Sequence, residues 1–130
     1  MKKTHLLNIA LSQLIASLGH GDAIVIGDAG LPVPPGVPLI DLALTRGIPG
    51  LMETLETILT EMQVEQHVLA SELALQNPLM AHAIAELKLP GSMTMTHAEF
   101  KRCSCSARAI VRTGECTPYA NIILIAGVVF

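Results

Sequence analysis

"LGHGDAIVIGDAGLPVPPG", residues 18–36, decides the reading of the fold. Gly19 closes a helical pattern that opens at Asn8, a good helix cap. Ala23–Gly27, "AIVIG", is a short, apolar, β-branched run and reads as a buried strand. Pro32, Pro34, Pro35 and Pro38 follow within seven residues, a density that neither a helix nor a sheet ladder tolerates. Helix, strand and loop thus meet within one short stretch. Two groups able to hold or move protons, His20 and Asp28, stand at either end of the strand.

The same alternation continues outward. "LIDLAL" (39–44) reads as a second strand, and "GIPGLMETLETILTEM" (47–62) as a helix with Leu51, Leu55, Ile58, Leu59 and Met62 on one side. "VEQHVLA" (64–70) is a third strand. "NPLMAHAIAEL" (77–87) is a helix with Asn77 as cap and Pro78 at the first helical position. "SMTMT" (92–96) alternates as a half-buried strand does, and Thr96 with Glu99 forms a capping box over the short helix "HAEFKR". "ARAIVRT" (107–113) and "NIILIAGVVF" (121–130) are closing strands joined by "GECTPYA". Alternating elements predict an α/β protein, a three-layer sandwich around a mixed, mostly parallel sheet, in one domain spanning 1–130. The last two strands are either antiparallel neighbours or are separated by a crossing loop; the pattern leaves both open.

Composition narrows the function classes. Half of the 130 residues are apolar, enough for a real core, and that core is aliphatic: there is no Trp, and the aromatics are Phe100, Phe130 and Tyr119. A formal charge of -3, with no basic cluster beyond Lys2-Lys3 and Lys101-Arg102, argues against nucleic acid. The start, "MKKTHLLNIALSQLIASLG", imitates a signal peptide, but His5, Asn8, Ser12 and Gln13 interrupt it. Leu7, Leu11, Leu14, Ile15 and Leu18 fall on one helical face instead. The longest apolar run, "IILIAGVVF", is nine residues, short of the roughly 20 that span a bilayer. A soluble cytoplasmic protein without membrane insertion is expected. Cys103, Cys105 and Cys116 make no complete disulfide framework and lack a fourth metal ligand, so reduced thiols are expected and no metal.

In open α/β sheets ligands gather at the carboxyl ends of the strands. Asp28 follows the first strand at such an end, as a ligand group or an Asx-turn former. His97 follows "SMTMT" and opens a helix, with Lys101 one turn on and on the same face. "GECTPYAN" concentrates Glu115, Tyr119 and Asn121, whose donors, acceptors and flat ring suit sugar hydroxyls. His20, between two glycines, has little reason to pack; it either caps a helix or acts.

Together, "LGHGD", "DAGLPVP", "THAEFK", "VRTGECTPYAN" and the ending "ILIAGVVF" resemble the sugar-mutarotase family of ribose pyranases and fucose mutarotases, from "MKKTHLLN" to Phe130. The resemblance implies an isomerase that interconverts the pyranose and furanose forms of D-ribose without a cofactor. It also implies a homodecamer of two stacked pentameric rings with sites near subunit boundaries. The family's catalytic histidine matches His20, and its sugar-binding positions match Asp28, His97, Tyr119, Ala120 and Asn121; Lys101 falls on a family lysine. Three features depart from the pattern: Gly21 stands where threonine is expected, "RCSCS" replaces a polar stretch, and residues 77–91 are shortened. A mutarotase of another monosaccharide such as fucose, and a non-catalytic sugar binder, are the alternatives.

A strand advances about 3.3 Å per residue, so an extended 22–27 separates His20 from Asp28 by roughly 20 Å. One sugar cannot touch both. Either the chain bends at Gly19 or Gly21, or His20 of one subunit meets Asp28 of a neighbour.

Overall fold

The computed structural model describes residues 1–130. Its elements in chain order are α1 (Ile9–Ser17), β1 (Ala23–Gly27), β2 (Leu39–Asp41), α2 (Leu51–Leu59), β3 (Val64–Ala70), α3 (Ser71–Gln76), α4 (Pro78–Glu86), β4 (Ser92–Met95), α5 (His97–Cys103), a short 3-10 turn (Ser104–Ser106), β5 (Ala109–Arg112) and β6 (Ile122–Ala126). The strands form one sheet in the order β2-β5-β1-β6-β3-β4. β1 runs parallel to β5, β5 to β2, and β3 to β4; β6 is antiparallel to both β1 and β3. The sheet is therefore mixed and mostly parallel, as the alternation predicts.

The antiparallel strand has a simple cause. A parallel return needs a crossover of about a dozen residues or more, usually a helix. Residues 113–121 are too few and too turn-rich for that, so the chain re-enters the sheet head-down. They are also too many for a tight hairpin. β6 passes over β1 and pairs on its far side, so the last two strands are not neighbours.

Strand alternation divides the core between the two faces of the sheet. Ile24, Ile26, Ala109, Val111, Ile122 and Leu124 face the larger layer, where they meet Leu11 and Leu14 of α1, Leu51, Leu55 and Ile58 of α2, and Ile84 of α4. Val25, Ile110, Ile123 and Val68 face the smaller layer, closed by Phe100 of α5 and Leu31 of the proline-rich loop. Leu51, Leu55 and Ile58 are fully buried, each contributing roughly 1.5–3 kcal/mol. Three layers result.

Some details differ from the sequence reading. Leu7 is exposed and Leu6 takes its place in the core, because helix α1 begins only at Ile9 and Leu7 lies before it, outside the helical period. β2 spans three residues rather than six; it is an edge strand, and past Asp41 the chain turns outward and exposes Leu44. Residues 47–50 lie outside the helix, with Arg46 and Gly47 turning between the bridged Thr45 and Ile48, and helix α2 starts at Leu51, where the Glu53 carboxylate accepts from the Gly50 N–H at 2.6 Å. α3 has no sequence counterpart, since six residues ahead of a capped helix give too short a periodic signal. No helix is long and apolar enough to cross a membrane.

Candidate active site

The carboxyl ends of β1, β3, β4 and β5 and the entry to β6 share one edge of the sheet. Asp28, Glu72, His97, Glu115, Tyr119 and Asn121 are the first or nearly first residues beyond these ends. Parallel strands put them there: each exits the sheet at the same edge and must turn.

Asp28 and Asn121 form the centre. Asn121 is fully buried. Its Oδ1 accepts the Asp28 backbone N–H at 2.8 Å, and its Nδ2 donates to Asp28 Oδ2 at 2.8 Å. Asp28 Oδ1 accepts from the Gly30 N–H at 2.8 Å, so the Asx-turn and a second, long-range role coexist. The Asn121 side chain thus holds Asp28 in place from within the core. Gly27 makes this approach possible: a Cβ there would lie 2.7 Å from Asn121 Oδ1 and 2.4 Å from Leu31 Cδ2. The Gly27 carbonyl accepts from the Thr113 hydroxyl at 2.8 Å, which ties β1 to the 113–121 loop.

That loop presents Tyr119 with φ +56, a left-handed conformation unusual for a non-glycine residue. It persists because the residues on both sides are fixed. Ala120 is fully buried, backbone included, and Asn77 Nδ2 donates to Thr117 Oγ1 at 2.9 Å and to the Pro118 carbonyl at 3.0 Å. The Tyr119 ring meets His97 edge-on, with ring centroids 5.1 Å apart. His97 also stacks on Phe100 at 6.2 Å. Its Nδ1 is buried and has no hydrogen-bond partner within the chain. Its backbone N–H donates to the Glu72 carboxylate at 2.9 Å.

Two carboxylates frame these groups. Glu72 is held below the usual glutamate range first by its own backbone N–H, then, against burial, by the His97 N–H. Burial pushes Glu115 up, but the Thr117 hydroxyl and the Thr117, Leu51 and Cys116 N–H groups outweigh it and hold the carboxyl low. Glu115 with Asp28, Ala29, Gly30, Cys116, Thr117 and Pro118 lines a cleft of about 320 Å³. Lys101 is exposed one turn along α5 from His97. Cys103, Cys105 and Cys116 are exposed free thiols.

His20 is elsewhere. It occupies the turn before β1, at the opposite edge of the sheet, beside the exit of β6. It lines a second cleft of about 460 Å³ with Leu18, Gly127, Val128 and Phe130 among others. The structure thus brings Asp28, His97, Tyr119 and Asn121 to one edge and leaves His20 at the other, as the strand rise requires. Sequence reasoning missed Glu65, which bonds His20, and Glu72; it read Asn77 only as a helix cap. Position just past the third strand is the one signal that marks Glu72.

The RbsD / FucU transport protein family matches residues 1–129. The chain belongs to that family. It is 61% identical over 134 residues to the D-ribose pyranase of Pseudomonas fluorescens (strain Pf-5), and 62% identical over 132 residues to that of Pseudomonas putida (strain W619), each match covering both chains completely. Among solved structures, Bacillus subtilis RbsD complexed with D-ribose superposes with a TM-score of 0.97 at 46% identity over the whole of both chains. The fucose mutarotase from Streptococcus pneumoniae, in complex with L-fucose, gives a TM-score of 0.75 at 26% identity, again over both full chains.

Proposed function

We propose that the chain interconverts the pyranose and furanose forms of D-ribose, an isomerase activity that needs no cofactor. Identity of 61% along the full length of a D-ribose pyranase carries this reading. The likeness to the fucose mutarotase is much lower in both sequence and shape, which favours ribose over fucose.

The chemistry asks only for proton movement. A base takes the proton of the anomeric hydroxyl, the bond from C1 to the ring oxygen breaks, and its electron pair stays on that oxygen, which is protonated. Closure of the open aldehyde onto a different hydroxyl changes the ring size. Histidine suits both proton steps near neutral pH. In this reading His20 donates the proton. Asp28, held by Asn121, grips a sugar hydroxyl. His97 offers its imidazole and Tyr119 its hydroxyl and ring face, while the buried Ala120 fixes the backbone that presents Tyr119; Lys101 reaches the same sugar from the rim.

The placement of His20 and Asp28 at opposite edges supports a site completed by two subunits, with His20 of one facing Asp28 of another. Assembly, as a decamer of two pentameric rings, is then a condition of activity. A cytoplasmic location fits a sugar-metabolising enzyme of this kind.

Saturation-transfer NMR on ribose tests the activity. Exchange between ring forms is expected to accelerate with the protein and to fall by about 100-fold in His20→Ala, the low end of what a positioned acid–base group supplies. An unchanged rate in folded H20A removes His20 from the mechanism.

A further inference from the structure

We propose that Glu65 is a positioning residue for His20: it holds the imidazole through Nε2 and leaves Nδ1 as the ring nitrogen that exchanges a proton with the sugar. The inference rests on the reading of His20 as the proton-transferring group.

The backbone under His20 is fixed by several hydrogen bonds, whereas its ring is held by one. Residues 19–22 form a turn closed by the Asp22 N–H on the Gly19 carbonyl at 3.1 Å, with His20 and Gly21 as its central residues. Gly21 has φ +83, the conformation that the third residue of a type II turn requires. This accounts for glycine after His20, where a threonine would be strained. The Gly21 N–H donates to Ala126 O at 2.8 Å, and Asp22 Oδ2 accepts from Gly19 N–H at 2.8 Å and from Arg108 at 3.2 Å. By contrast the His20 side chain is 61% exposed, and its one polar contact is Nε2 to Glu65 Oε2 at 2.8 Å. A carboxylate oxygen only accepts, so Nε2 carries the proton in this bond.

Glu65 reaches His20 because the sheet is irregular at that residue. β3 pairs Val64 with Ala126 but Gln66 with Ile125, so Glu65 is the extra residue of a bulge. A bulge re-aims a side chain that regular alternation would send elsewhere. Gly127 leaves the room: a Cβ there would sit 3.0 Å from the Glu65 Cβ. An exposed pair of this kind adds little to stability. Its consequence is orientation, and a misaligned catalytic group loses rate rather than substrate affinity.

The test uses full-length Glu65→Ala and Glu65→Gln, labelled at histidine, with His20→Ala to assign the His20 signals. In E65A the His20 Cε1–H vector is expected to lose order, while kcat for ribose ring exchange falls about 10-fold and KM stays within about twofold. E65Q retains an acceptor oxygen and is expected to restore ring order and at least about a third of kcat. Wild-type kcat in E65A, or a His20 ring as ordered in E65A as in the wild type, overturns the proposal. If the wild type itself does not exchange ribose, the proposed activity fails, while the ring-order comparison still decides the role of Glu65.

Discussion

Removing Asn121 is the sharpest test of the site's architecture. Asn121→Ala deletes the acceptor of the Asp28 N–H and a donor to the Asp28 carboxylate, both at 2.8 Å. A neutral hydrogen bond contributes about 1 kcal/mol and one to a charged group about 1.5–3 kcal/mol, while an orphaned buried donor adds its own desolvation cost. The expected loss is about 3 kcal/mol. For a chain of this size that lowers the melting midpoint by roughly 10 °C. Urea denaturation of N121A, D28A and D28A/N121A gives the coupling directly, expected at about 1.5–3 kcal/mol if the two side chains act as one unit. Ribose exchange should fall in N121A although Asn121 is wholly buried, because Asp28 loses its anchor. Asn121→Asp keeps the acceptor but sets oxygen against oxygen, so it should be at least as destabilising at neutral pH. An N121A protein within about 0.5 kcal/mol of wild type, the level of an ordinary surface change, with unchanged exchange, would refute the argument.

Other perturbations probe the surrounding parts. Gly27→Ala should cost about 1–3 kcal/mol by overpacking, since its Cβ would sit 2.4 Å from Leu31 Cδ2; a denaturation midpoint equal to wild type would contradict it. Tyr119→Gly should destabilise only modestly, by about 1 kcal/mol, because relief of left-handed backbone strain of similar size offsets part of the lost packing of the half-buried ring on the core and on His97. Ribose affinity should nevertheless drop in the same variant, measured by titration. Glu115 has a folded-state carboxyl held below the ordinary value of 4.5, so its contribution is present above that pH and is lost as pH falls through the lower folded value. Glu115→Gln should therefore destabilise the protein at neutral pH and flatten the acid limb of its stability profile; an acid limb identical to wild type would be inconsistent with this.

Much of the fold is local and so legible. Asn8, Pro78 after Asn77, and the Thr96/Glu99 box mark helix starts, and the hydrogen bonds they make span three residues. Ala23–Gly27 announces itself as a strand because nearly every residue is apolar or β-branched. The edge where Asp28, His97, Tyr119 and Asn121 meet also follows from order along the chain, since parallel strands all exit on the same side.

What escaped the sequence is non-local. Asn121 and Asp28 are 93 residues apart, and nothing in either neighbourhood states that one amide will clamp one carboxylate. Glu65 reads as an ordinary strand residue; only the bulge against β6 turns it toward His20. The place of β6 beyond β1 was likewise undecided, because strand order depends on which faces bury together and not on any one segment's periodicity.

The sequence by itself determined most of the elements, α3 excepted, and the edge at which most polar groups emerge, because these depend on backbone periodicity and strand direction; strand rise set the length between His20 and Asp28 but not the course of the chain at Gly19–Gly21. Only the tertiary structure decided the strand order, the Asp28–Asn121 clamp and the Glu65–His20 pair. Those depend on register between distant segments, where a shift of one residue redirects a side chain.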